Sequence, residues 1–257
     1  MKITKYVTYT SKPGIDLRFT VVSDLHARPY DGILKALRNA SPDAILLPGD
    51  ILEIISPKME KRNQNGWEFL KAAAKIAPCY YCYGNHELYN TASKRTTSAV
   101  DDIDRQRTVR SLGIHLVNDS FERLDSYQHA PVYVGGLVCG RDMVDSKQYD
   151  RSLNRDFLSA YEAESGYKIL LCHYPHYYEE HLKNTEFDLI LSGHAHGGQW
   201  RFFGKGVYAP HQGLFPKYTS GIHDGRHIIS RGAVNNAKPI PRLFNPCEIL
   251  EITVKSK

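Results

Sequence analysis

The chain has no apolar stretch near the ~18 residues that a membrane-spanning helix needs. Its opening, MKITKYVTYTSKPG, lacks the apolar centre of a secretory leader. Five cysteines, an odd number, give no disulfide framework. Cys79 and Cys82 do form a C-x-x-C, but CYYCYGN has the composition of a strand, where positions three apart face opposite ways. That argues against a redox or zinc pair. No run of five or six like charges occurs, so the formal charge of +5 (33 basic, 28 acidic) favours anionic partners only weakly and offers no stripe for nucleic acid. Internal repeats, low-complexity tracts and linkers are also missing. What remains is one domain spanning residues 1–257, of ordinary globular composition, with a reduced, cytoplasmic location expected.

Strand-like and helix-like segments alternate. LRFTVVS (17–23) reads as a strand, and DGILKALRNA follows with a helical stripe of Ile33, Leu34 and Leu37. DAILLP (43–48) is a short buried strand, WEFLKAAAKIA (67–77) a helix stopping at Pro78, CYYCY a strand, and DDIDRQRTVRSLG (101–113) a helix ending at glycine. IHLVN, FERLDSY and VYVGGLV read as strands, SLNRDFLSAYEAE as a helix, KILLC as a strand, YYEEHLKN as a short helix and FDLIL as a strand. The last sixty residues are strand and turn, ending with CEILEITV. This order predicts an α/β fold in which the later strands form a second sheet packed on the first.

Ligand-type residues recur directly after these strands. FTVVS ends in Asp24-Leu25-His26, AILLP in Gly49-Asp50, CYYCY in Gly84-Asn85-His86-Glu87, KILLC in His173, and FDLIL in Gly193-His194-Ala195-His196. Taken singly, each has an ordinary reading: Asp24 or Asp50 as a helix cap, Asn85 as a turn residue, His173 as a packed core histidine. His194 and His196, two apart in extended chain, would face the same way and form either a metal site or a structural pair. Five such ends in one α/β domain converge on one crevice at the carboxyl edge of the strands, and Gly49, Gly84 and Gly193 permit close backbone approach.

In this order, DLH, GD, GNHE, a lone histidine and GHAH resemble the signature of the calcineurin-like metallophosphoesterases, from about Leu17 onward. The tail GHAHGGQW, GLFPKYTSG, SRGAVN and PRLFNPCEI is similar to a bacterial branch that includes pyrophosphatases of lipid-precursor UDP-sugars. The resemblance implies two packed, mainly mixed β-sheets flanked by helices, a four-layer sandwich. It also implies two divalent transition-metal ions (Mn, Fe, Zn, Co or Ni) sharing Asp50. One would be held by Asp24, His26, Asp50 and His196, the other by Asp50, the Asn85 side-chain carbonyl, His173 and His194. His86 takes the place of the family's general acid or transition-state stabiliser.

Glu53 stands three residues after Asp50, where related protein phosphatases have an aspartate that orients this histidine; a solvated charge at a helix start is the other reading. Those phosphatases continue with Arg-Gly to clamp phosphate, whereas Ile54-Ile55 stand here, which favours diesters or pyrophosphates over monoesters. Arg28 could supply the contact, or lie exposed. The expected substrate is a small phosphorylated molecule of phosphodiester, nucleotide or UDP-sugar type. A cyclic-nucleotide phosphodiesterase or a phosphomonoesterase stays open on the same motifs. A non-catalytic binding module is disfavoured because all seven ligands are present, and a DNA-repair nuclease because no basic stripe is found. The substrate pocket is expected to diverge at residues 139–156, and peripheral membrane contact is left open at VYAPHQGLFPKY (207–218).

Overall fold

The computed structural model describes residues 1–90, 95–96, 99–139, 153–235 and 240–257. Of the expected pocket segment 139–156, residues 140–152 lie outside these. The predicted α/β architecture is what the chain forms: two six-stranded mixed sheets, with helices on their outer faces. In the first sheet the order is Lys2–Thr10, Glu248–Ser256, Asp16–Val21, Ala44–Pro48, Cys79–Cys82 and His115–Leu116. In the second it is Gly221–His223, His227–Ile229, Leu189–Ser192, Tyr167–Cys172, Val132–Leu137 and Ser120–Arg123.

The central strands are parallel and buried on both faces, hence their unbroken apolar runs. All five residues of Ala44–Pro48 are buried, and so are all six of Tyr167–Cys172. Outside the first sheet, helix Asp31–Ala40 turns in Ile33, Leu34 and Leu37, and helix Pro57–Ala73 turns in Phe69, Leu70 and Ala73. A second apolar cluster combines Phe157, Leu158 and Tyr161 of helix Arg155–Glu162 with Leu170 and Ile190 of the second sheet. Between the sheets the contact is close. A Cβ at Gly136 would lie 2.6 Å from the Cys82 Cβ, so a side chain there would push the sheets apart. Among the described residues no helix is long and apolar enough to cross a membrane.

Several local expectations are corrected. The helix expected at 67–77 starts ten residues earlier, with Pro57 in its first turn, and ends at Ala73. The polar stretch KMEKRNQNG hid it, because the helix buries Asn63 and Gly66 rather than a regular apolar stripe. Strand FERLDSY is paired only as far as Arg123, and YYEEHLKN forms a π-helical turn, Tyr178–Leu182. Lys2–Thr10 is a further, edge strand, paired in parallel with Glu248–Ser256. It was not legible because most of its residues, Ile3, Val7 and Tyr9 included, stay exposed. All five cysteines are free thiols, and burial pushes Cys79 up to about 12, far from a reactive thiolate.

His227 illustrates what the tight core costs. It is fully buried beside Leu189–Ser192, its Nε2 2.9 Å from the Ser192 hydroxyl and its ring stacked on Tyr178. Burial, then His223 and Arg226, push its pKa down to about 3. In the unfolded chain it titrates near 6.5, so between those values only the unfolded state binds the proton and stability falls as pH falls. On moving from pH 7 to 5 this one group should remove about 2 kcal/mol. Urea unfolding at both pH values should show that His227→Gln loses about this much less than the wild type; an equal loss in both proteins would refute the assignment.

Candidate metal centre

Each site residue sits just past a strand end. Asp24 and His26 follow Asp16–Val21, Asp50 follows Ala44–Pro48, Asn85 and His86 follow Cys79–Cys82, His173 follows Tyr167–Cys172, and His194 and His196 follow Leu189–Ser192. The backbone there is not extended. Asp24 (φ 54°), His26 (49°), Asp50 (55°), His194 (66°) and His196 (46°) are all left-handed. Such conformations in non-glycine residues cost on the order of 1–3 kcal/mol each and persist only where the surroundings fix them. Period-two alternation is therefore not what aims the two histidines; tight turns at each of them do. The turns are pinned by Asp24 N–H to Gly49 O (3.1 Å), His26 N–H to Asp50 O (2.9 Å), His194 N–H to Asp24 Oδ1 (2.9 Å) and His86 N–H to Asp50 Oδ1 (2.9 Å). Glycine is required alongside: a Cβ at Gly84 would lie 2.3 Å from Asp50 Oδ1, and one at Gly49 2.5 Å from His173 Nδ1.

The side chains gather into adjoining groups. Asp24, His26 and His196 bring one ligand atom each within 4.8 Å of one another, as do Asp50, His173 and His194. The two histidines of GHAH thus fall in different groups. The groups touch: His26 Nε2 is 3.9 Å from Asp50 Oδ2 and 3.3 Å from His196 Nε2. Four buried polar atoms here, Asn85 Oδ1, His26 Nδ1, His173 Nε2 and His194 Nε2, have no hydrogen-bond partner. Buried polar groups are almost always satisfied, and orphans of this kind suit a cation. The donor set, imidazoles with two carboxylates and one amide carbonyl, fits transition metals.

The electrostatics agree. Burial alone would push the Asp50 carboxyl up, but His173 and His86 hold it well below the carboxylate range. Burial holds His26, His194 and His196 low, so their imidazoles are neutral and keep a lone pair to donate. His173 goes the other way: against burial, the Asp50 charge raises it, while its Nδ1 lies 2.7 Å from the Pro48 carbonyl.

His86 and Glu53 form a pair, with Nδ1 2.9 Å from Oε2. Glu53 is only 3 % exposed and is also met by Arg62 at 3.3 Å, so the solvated helix-start reading fails. His86 is 27 % exposed at the side chain, more open than His26, His173 and His196. Burial lowers its pKa, but Asp50 and Glu53 outweigh that and raise it to about 9. Arg28 is half-buried on the loop after Ala27, not exposed.

Four residues escaped the sequence reading. Glu87, quoted only as part of GNHE, is fully buried and ties the loops together, accepting from the N–H groups of Asp50 (3.0 Å), Leu52 (2.8 Å) and Gly84 (2.8 Å) and from the Tyr81 hydroxyl. Arg105 donates to the carbonyls of Glu87 (3.1 Å) and Glu53 (3.2 Å). Arg242 brings Nη2 to 3.0 Å from His196 Nδ1. His211 stacks on His194, with ring centroids 5.2 Å apart. Arg242 and His211 lie in the segments PRLFNPCEI and VYAPHQGLFPKY, but nothing in the sequence says that tertiary folding brings them, or Arg105, to this site.

The family model of the calcineurin-like phosphoesterases matches residues 17–198, the stretch that holds every ligand-type residue above. The chain belongs to the calcineurin-like phosphoesterases. The family is generally dependent on two metal ions; among the described residues the two groups above are joined by a third, His26, Glu53 and His86, which shares His26 with the first. The chain is 24 % identical to an uncharacterized metallophosphoesterase of Aquifex aeolicus, over all of this chain and 93 % of that protein. It is 26 % identical to another from Campylobacter jejuni, over 94 % of this chain and 60 % of that one. Among solved structures, the phosphopantetheinyl hydrolase of Mycobacterium tuberculosis aligns over 84 % of this chain and 89 % of its own, with a TM-score of 0.48 and 11 % identity.

Glu87 gives the test of how this phosphoesterase site is held. Glu87→Gln keeps the shape but turns an NH2 toward backbone donors, losing charge-assisted bonds in a buried place. The expected cost is about 3 kcal/mol by urea unfolding. A loss below about 0.5 kcal/mol, as at an ordinary surface position, would show that the loops stand without it.

Proposed function

We propose that this phosphoesterase hydrolyses a phosphodiester or pyrophosphate bond in a small phosphorylated substrate, of nucleotide or UDP-sugar type, using two divalent transition-metal ions. The carrying observation is the pair of adjoining ligand groups with orphaned acceptors beside Asp50. Asp24, His26, Asp50 and His196 would hold one ion; Asp50, Asn85, His173 and His194 the other. Bound ions would supply positive charge for the phosphate oxygens and lower the pKa of attacking water. The chain's own part is to fix these ligands and to deliver a proton. His86 is that donor: it is open to the substrate side and oriented by the Glu53 bond to Nδ1, which leaves Nε2 to face the departing oxygen.

The assignment of His86 is checked by His86→Ala. Both proteins should take up two metal ions per chain on Mn loading, while kcat falls by the ~10²–10⁴ typical of a lost general acid. The loss should shrink for p-nitrophenolate, which leaves without a proton. Equal losses for good and poor leaving groups would assign His86 to charge or positioning, and failure of both proteins to take up metal would end the two-ion reading.

Diester preference rests on Ile54, which sits half-buried directly after Glu53 and cannot bond a third phosphate oxygen. One missing charge-assisted contact is worth about 1.5–3 kcal/mol, or tenfold to a hundredfold in rate. The kcat/KM for bis(p-nitrophenyl) phosphate should exceed that for p-nitrophenyl phosphate with the same metal and pH. Arg242 beside His196 favours the contrary reading, a phosphomonoesterase. A monoester advantage of about tenfold that Arg242→Met abolishes would establish it.

A further inference from the structure

We infer that the surface made by residues 200–203, 207–215 and 240–244 docks onto an anionic lipid bilayer. Three turns meet there. Arg201 N–H bonds the Leu243 carbonyl (3.0 Å), Phe215 N–H bonds the Val207 carbonyl (2.8 Å), and Val207 N–H bonds the Trp200 carbonyl (2.9 Å). The Trp200 indole donates to Pro241 O (2.9 Å), and the Phe202 and Phe244 rings lie 5.8 Å apart. What this platform presents is apolar: Phe203 is 105 % exposed, Phe244 79 %, Phe215 73 % and Leu214 71 %, with Phe202 and Tyr208 beside them.

The backbone makes these rings costly. Phe203 (φ 49°), Phe215 (φ 50°) and Phe244 (φ 52°) are each left-handed, a conformation that glycine or asparagine adopts cheaply and a bulky residue does not. The chain thus holds three phenyl rings outward on turn tips at a cost that packing in the fold does not recover. Rings borne singly on separate turn tips suit a fluid interface, which moulds to each ring, better than a shaped protein partner.

Charge selects the kind of interface. From residue 189 to 247 the sequence has seven basic residues and one acidic, whereas the rest of the chain has 26 basic and 27 acidic. Of the basic residues in this segment, Arg201 and Arg242 belong to the platform and Lys205 is exposed on one of its hairpins, while Lys217 pairs with Glu179, Arg231 with Glu248 and Arg226 bonds carbonyls at Leu182–Phe187. Aromatic tips beside lysine and arginine match the headgroup region of a negatively charged leaflet. The platform is also continuous with the metal loop, since Val207 N–H bonds Gly198 O (3.1 Å) and the Asn245 amide bonds the His196 carbonyl (2.7 Å). Docking would bring the active crevice to the lipid surface.

The test is sedimentation of the full chain with vesicles of phosphatidylcholine alone or in equal parts with phosphatidylglycerol. Binding should be at least about tenfold stronger to the anionic vesicles and weaken with salt. The triple variant Phe203→Asn, Phe215→Asn and Phe244→Asn should lose at least about tenfold of it, while its Tm stays equal or rises because strain is relieved. A chelator should leave vesicle binding unchanged, which separates this result from any failure of the catalytic reading. No binding, binding that the variant keeps, or a dimer in size-exclusion chromatography that the variant dissolves would each overturn the inference.

Discussion

One buried negative charge organises the centre of this molecule. The Asp50 carboxylate is 2 % exposed, and a bare carboxylate at that depth would cost several kcal/mol. It is matched instead by the His86 amide at Oδ1, and at Oδ2 by His173 (3.2 Å), His26 (3.9 Å) and His86 (4.0 Å). Those partners come from three other strand ends in both sheets, so compensating one charge fixes where the loops lie. Glu87 completes the arrangement from behind by binding the Asp50 N–H, although its own carboxyl is raised by burial and by the Asp50 charge. Two like charges held this close, with Asp50 on left-handed backbone, break local rules, which is where function is expected to reside.

Much of this was legible in the sequence for a simple reason. Buried parallel strands are short apolar runs, and the ligand-type residues at the end of each, glycine-flanked at Asp50, Asn85 and His194, are visible without knowing the fold. Asp24, His26, Asp50, Asn85, His173, His194 and His196 could all be found that way. The division of His194 and His196 between two groups came from the family resemblance, while period-two geometry gave the wrong reason for it: turns with positive φ leave no mark in sequence when the residue is aspartate or histidine. Glu53 could be found by position, but whether it was solvated or oriented His86 needed the structure.

The residues that stayed hidden share a physical cause. Arg105, Arg242 and His211 reach the site across helices and turns, from chain positions whose distance in sequence does not show what they touch. Glu87 stood in plain view, yet its bonds go to backbone N–H groups, whose directions a sequence does not state. Helix Pro57–Ala73 and strand Lys2–Thr10 were obscured because much of their surface faces solvent, so neither shows the clean periodicity that burial imposes.

Strand Glu248–Ser256 lies between Lys2–Thr10 and Asp16–Val21, pairing with the one in parallel and the other antiparallel. Its place in the sheet bears on how the protein is made. Ribosomes release residues in order, so the two early strands emerge with an empty lane between them that only one of the latest segments can fill. Until then Leu17, Phe19 and Val21 stand at an unpaired edge, open to pairing with other nascent chains. The first sheet closes only after synthesis has passed the whole of the second, and its folding is governed by a contact of very long sequence separation.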